Sequence, residues 1–350
     1  MESEHKRKVH QRNMNIPFWT LTLTFAWMNA WHVSGFTTTT ITTKTVATSV
    51  KPGPRTSSLV ERAQASRQKR PLFSSPVDDN DFQTFIEQTV LHVFPGAMTY
   101  DQLLDYLRYQ LQDRAGYEIP TTLCATSLCS DELNRPLELK LQQTFGETYN
   151  LGGLAGCPFG GVTSFRKMKL HIPDGGQCLV LYGPHVGVDA TGTFGKCDRK
   201  KINNMARPDE EHLWCCRSAI LAAQYATAAH RGEIDPSSMP LDILDASQYF
   251  VQNMLLPHGK RLQRAAERSD NDFMVDLPYA LYEEQTKLIQ RIMDEASQAG
   301  FPGQMVVVGG IQINTPPGCI DYFLPFRFDL YADDGQYQGS FLDEEYEEQA

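Results

Sequence analysis

The eight cysteines of this chain (124, 129, 157, 178, 197, 215, 216 and 319) have no regular spacing, and none forms a Cys-x-x-Cys pair. That excludes a zinc-finger framework and a thioredoxin-type redox motif, and it fits a reduced compartment better than a disulfide-stapled secreted domain. Basic charge is also scarce where it would matter. Residues 1 to 72 hold 11 of the 32 Lys+Arg and 3 of the 42 Asp+Glu, which leaves 21 against 39, or −18, for residues 73 to 350. With no Arg/Lys stripe interleaved with aromatics after residue 73, a nucleic-acid partner is not expected. The glycine-dense run Leu151–Val162 lacks the Gly-Lys-Ser/Thr ending of a phosphate loop and does not clearly open a helix, so close backbone packing beside a site is its expected use. No internal repeat stands out.

The first seventy residues differ from the rest and are set aside before domains are counted. Lys6, Arg7, Lys8 and Arg12 precede an apolar stretch from Ile16 to Trp31, with small residues at Val33-Ser34-Gly35, the pattern of a signal peptide over 1–35. Thr20, Thr22, Thr24 and Asn29 dilute it below what a membrane span needs, so no membrane association is expected after its removal. Phe36 then opens a Thr/Ser-rich basic segment to residue 72 in which Glu61 is the sole acid, the composition of a transit peptide. The tandem resembles the bipartite address of complex algal plastids and implies a plastid location, stroma or pyrenoid periphery. An ordinary secreted or endomembrane protein is the alternative.

Residues 73–335 are long enough for one large α/β domain. Helical spacing covers 79–92 and 99–114, the second opened by a Thr99/Gln102 capping box and closed near Gly116. Thr121–Leu128 reads as a strand delivering Cys129, and Cys178–Tyr182 as a buried strand with His185 just past its end. Helices are expected over 212–230 and 278–299, the second stopped by Gly300 and Pro302, and a strand followed by a turn over 305–315. Strands alternating with helices predict an α/β fold with a mainly parallel central sheet flanked by helices. An acidic run closes the chain, in a tail over 336–350.

One imidazole and two thiolates can fill three corners of a zinc tetrahedron and leave the fourth for water. Cys129, His185 and the vicinal pair Cys215-Cys216 offer that donor set, with His171 as a competing histidine on an expected strand. Asp131 and Arg135 follow Cys129 at i, i+4 spacing, which on a helix would let carboxylate and guanidinium pair. The vicinal cysteines begin a helix, where a thiolate gains from the dipole.

Cys129-Ser-Asp-Glu-Leu-Asn-Arg135, Leu151-Gly-Gly-Leu-Ala-Gly156 with Pro158-Phe159, His171-Ile-Pro-Asp174, Gly183-Pro-His-Val-Gly187, Cys215-Cys216 and Gly309-Gly-Ile-Gln-Ile-Asn-Thr315 together resemble the limiting-CO2-inducible B/C family of algae, which includes theta-type carbonic anhydrases. The resemblance runs over roughly residues 85 to 330. It implies a fold similar to β-class carbonic anhydrases, a homodimer or a hetero-oligomer with a paralogue, and Zn2+ held by Cys129, His185 and Cys216. It also implies Asp131 and Arg135 as a gatekeeping catalytic pair, with CO2 and bicarbonate as substrate and product. Arg217 stands where the family carries glycine after the ligand cysteine. That departure, with a long insertion between Arg199 and Trp214, keeps a catalytically inactive zinc-binding homologue in a carbon-retention complex as the alternative.

Overall fold

The computed structural model describes residues 79–197, 214–238, 242–297 and 303–342. The expected signal and transit segments, the 198–213 insertion, the Gly300 and Pro302 helix stop and the terminal acidic run lie outside the described residues. In chain order the elements are α1 (Asp79–Val93), β1 (Met98–Thr99), α2 (Tyr100–Tyr109), β2 (Thr122–Ser127), α3 (Arg135–Phe145), β3 (Thr148–Asn150), α4 (Gly161–Met168), β4 (Gln177–Tyr182) and β5 (His185–Gly187). They continue with α5 (Arg217–His230), α6 (Ala246–Leu255), α7 (Gly259–Arg268), α8 (Asp270–Ser297), β6 (Met305–Asn314), β7 (Tyr322–Tyr331) and β8 (Tyr337–Ser340).

These strands form one sheet in the order β1-β7-β6-β4-β2-β3, with β5 beside β6 and β8 beside β7. Its centre is parallel: β2 pairs with β3 and β4, and β6 with β4 and β5. The β7 edge is antiparallel to β6, β1 and β8. The central strands are continuous apolar runs because helices cover both faces. Leu179, Val180, Leu181, Val306, Val307 and Val308 are fully buried. One face packs on α2 and α3 through Leu103, Leu107, Leu137 and Leu141, the other on α4 and α8 through Phe165, Ile289 and Met293.

Local chemistry explains most boundaries. Thr99 accepts from the Gln102 amide at 3.2 Å while the Gln102 side chain accepts from the Thr99 amide at 2.8 Å, a complete capping box worth about 1 kcal/mol at the start of α2. After Tyr109 the helix widens into a π turn (Gln110–Arg114), and Gly116 ends it at φ +70°.

Four differences from the sequence expectations have physical causes. Met305–Asn314 is one long strand with a register shift at Gly309/Gly310, not a strand and a turn. Helix α8 starts eight residues before Pro278, which sits inside it; the Ser269 hydroxyl accepts from the Asp272 amide, and Phe273 and Leu277 bury, so the start is fixed by its cap and its apolar face. The glycine-dense run does open a helix, α4, at Gly161. Strand β8 pairs with β7 and Phe341 is buried, so ordered structure continues past residue 335. Among the described residues no helix is long and apolar enough to cross a membrane.

Candidate metal centre

The parallel strands deliver the site at their carboxyl ends, where open α/β sheets place ligands. Chain leaving β2 runs through Leu128 to Cys129, and the glycine-dense loop packs directly on it. A Cβ on Gly152 would lie 2.3 Å from the Leu128 carbonyl oxygen, so only glycine lets the two backbones approach. Beside it, a Cβ on Gly183 would lie 1.9 Å from the Gly310 carbonyl oxygen, which lets the chain cross tightly from β4 to β5. His185 is the first residue of β5 and pairs in register with Gln312 of β6. Cys215 donates its amide to the Gly195 carbonyl at 3.1 Å, and Cys216 is the N-cap of α5.

These elements gather Cys129, His185 and Cys216 with their ligand atoms all within 4.8 Å of one another. The Cys129 and Cys216 sulfurs are 3.7 Å apart, and all three residues are at most 5 % exposed. A second grouping, Asp131 with His185 and Cys215, shares the histidine. Cys215 Sγ lies 3.2 Å from His185 Nδ1. The vicinal cysteines therefore contact the same imidazole from two groupings.

Asn314 fixes the tautomer of the neutral His185 ring. Its Nδ2 donates to the Leu133 carbonyl at 3.0 Å, which turns Oδ1 toward His185 Nδ1 at 2.8 Å. An amide oxygen can only accept, so in the neutral ring Nδ1 carries the proton and Nε2 the lone pair. Nε2 is buried without a hydrogen-bond partner among the described residues. A buried acceptor of this kind is destabilising unless something electrophilic meets it. Two sulfurs and that nitrogen fit a borderline-soft cation, and Asn314 supplies the outer hydrogen bond that metal-bound histidines usually have.

Without a cation, the electrostatics describe the competing state, in which a proton takes the metal's place on the imidazole. Cys129 is held well below the ordinary thiol range, first by the hydrogen bond from Cys216 and then by the His185 charge and the Asp131 amide, against the opposing effect of burial. Cys216 moves up, because it donates to Cys129 and is buried. Burial pushes His185 down, but the neighbouring thiolates outweigh it and raise it.

The family model of the limiting CO2-inducible proteins B/C beta carbonic anhydrases matches residues 97–332. The chain belongs to this family. A crystal structure of PtLCIB4, a homologue of the limiting CO2-inducible protein LCIB, is 40 % identical, with a TM-score of 0.64 over 73 % of this chain and 99 % of that one. A histidine-to-alanine mutant of PtLCIB4 matches equally, at 40 % identity and TM-score 0.64 over 73 % of this chain and 98 % of that chain. A serine-to-arginine mutant of PtLCIB4 gives 39 % and 0.59 over 73 % and 99 %. A search of curated proteins found no match.

Within this family member the expected Asp131–Arg135 pair is not formed. Asp131 is extended, at φ −61° and ψ 136°, and its carboxylate caps a short 3-10 turn by accepting from the Leu133 amide at 3.1 Å. Helix α3 begins only at Arg135, so i, i+4 geometry does not reach back to Asp131, and the guanidinium pairs instead with Glu138 one turn on. His171 is not on a strand. It ends an exposed 3-10 turn against Tyr149, away from the cluster. Arg217 is exposed in the first turn of α5. Asn314 and Gln312 escaped the sequence reading, although two amides at i, i+2 in an otherwise apolar buried strand mark one polar face.

Proposed function

We propose that this protein is a zinc carbonic anhydrase that catalyses the reversible hydration of CO2 to bicarbonate. The observation that carries the reading is the unpartnered His185 Nε2 grouped with two buried cysteine sulfurs, one of them thiolate-like. Zinc held there by Cys129, His185 and Cys216 would supply a Lewis acid that brings the pKa of water toward about 7. The protein's own groups do the rest. Asn314 fixes the histidine tautomer, and Leu154, Phe159 and Trp214 pack against the apolar cluster that contains Cys129 and Cys216, surroundings suited to CO2. The Asp131 carboxylate, grouped with His185 and Cys215, is the proton acceptor in this reading, and it controls access when Arg135 turns from Glu138 to it.

The Arg135–Glu138 pairing favours a second reading, in which the chain binds zinc without turnover and acts in a carbon-retention complex. Stopped-flow CO2 hydration by zinc-loaded protein, with Cys129→Ala as control, separates the two. Hydration that tracks zinc content supports the enzyme; full zinc with no rate above the variant supports the second reading. The composition of residues 1–72 supports plastid import, which a fluorescent fusion of that segment tests by its location. Assembly as a homodimer or with a paralogue belongs to the same proposal and is read from the mass in solution.

A further inference from the structure

Away from the cysteines, β7 carries a buried cation that the proposed reaction does not use. Arg327 is only 8 % exposed. Its Nε donates to Asp329 at 2.5 Å, and its Nη2 donates to Gln290 Oε1 at 2.9 Å and to the Tyr331 hydroxyl. These bonds fix the guanidinium; Nη1 is sealed from solvent near Tyr182, with no hydrogen bond of good geometry among the described residues. Unpaired buried donors are uncommon and costly. Arg327 also lines a cavity of about 680 Å³ between α8 and the β7–β8 edge.

The lining tells what could fill it. Lys287 and Arg291 of α8 join Arg327 against the single carboxylate of Asp329, for a net lining charge of +2. Lys287 also pairs with Glu284 at 2.7 Å, and its side chain is 65 % exposed at the pocket rim. Thr286 and Ser340 add hydroxyls, and Tyr282 and Phe326, with ring centres 5.0 Å apart, form an aromatic wall. The volume falls in the range of small-molecule pockets, about 300–1,000 Å³, and far exceeds a bare inorganic anion. A dianionic head with an organic body matches the charge, the donors and the wall together.

We propose that this pocket binds a phosphate monoester, with Lys287 and Arg291 on the phosphate, the buried charge of Arg327 behind them, and the organic part against Tyr282 and Phe326. The site shares no residue with the cysteine cluster, so it stands whether or not the chain hydrates CO2.

The test is calorimetric titration of the full-length, zinc-loaded chain with AMP and, separately, with inorganic phosphate. AMP is expected to saturate a single site and to bind more tightly than phosphate. The rim double variant Lys287→Glu/Arg291→Glu should weaken AMP at least about tenfold while keeping the wild-type melting midpoint and zinc content. Arg327→Gln removes the buried charge and should weaken AMP binding; if it fails to fold, the rim variant decides alone. No saturable heat with AMP up to about 10 mM, equal affinity in the rim variant, or phosphate binding as tight as AMP would each overturn the proposal.

Discussion

The domain holds two buried polar clusters of opposite character, one at the carboxyl ends of the parallel strands and one on the antiparallel edge. At the first, the crowded atoms are acceptors once the ring is neutral: His185 Nε2 beside two sulfurs, with Cys129 pushed toward thiolate. At the second, the unsatisfied atom is a donor, Arg327 Nη1, in a lining with excess positive charge. An orphaned acceptor set is relieved by a cation and an orphaned donor set by an anion. The same accounting of hydrogen bonds thus assigns opposite ligands to the two ends of the sheet. The supporting shells differ as well. The cysteine cluster is positioned by backbone contacts among glycines and by a single amide, Asn314, whereas the arginine is clamped by Asp329, Gln290 and Tyr331.

The comparison breaks most visibly if the acceptor cluster does not need its cation. Cys129→Ala should lose stoichiometric zinc, with an affinity drop larger than the about 100-fold that loss of an outer partner brings, as read by metal analysis after dialysis. Asn314→Ala frees the histidine to change tautomer, so zinc affinity should fall about 10- to 100-fold in competition with a chelator, with Cys129 and Cys216 still in place. A drop as large as that of Cys129→Ala would mean that Asn314 does more than orient the ring.

Asp321 sharpens the picture beside the cluster, where it accepts from the Thr315 amide at 2.7 Å and the Thr315 hydroxyl at 3.1 Å. Burial pushes its carboxyl up to about 6. An unfolded aspartate titrates near 3.9, so the folded chain binds the extra proton between those values and stability falls as pH rises from about 4 to about 6. Asp321→Asn should flatten that slope in urea unfolding measured across this window; an unchanged slope would remove Asp321 as its source. The smallest effect is expected at Arg217, exposed on the first turn of α5. Arg217→Gly should keep full zinc and shift stability by about 1 kcal/mol or less in denaturant titration, and loss of zinc would tie the guanidinium to the metal.

How far these clusters could be read from the sequence follows from whether their signals are local. The Thr99 cap, the apolar runs of β2 and β4 and the positions of Cys129 and His185 at strand ends are local patterns, and the residue blocks carried the family. The fate of Asp131 and Arg135 was not legible, because it depends on where a 3-10 turn yields to α3, and helix boundaries are the weakest part of a periodicity reading. Pro278 read as a first helical position for the same reason, although the cap lies at Ser269. Arg327 gave no signal at all. Its partners come from α8, 37 residues away at Gln290, and from its own strand, so the unsatisfied Nη1 exists only once β7 packs on α8.

The most direct test of the acceptor-cluster assignment is zinc-edge X-ray absorption on the metal-loaded chain and on Cys215→Ala and Cys216→Ala. The account predicts two sulfurs at about 2.3 Å with nitrogen or oxygen at about 2.0–2.1 Å, one sulfur lost in Cys216→Ala and none in Cys215→Ala. A wild-type shell with one or three sulfurs, or the loss falling on Cys215→Ala, would contradict it.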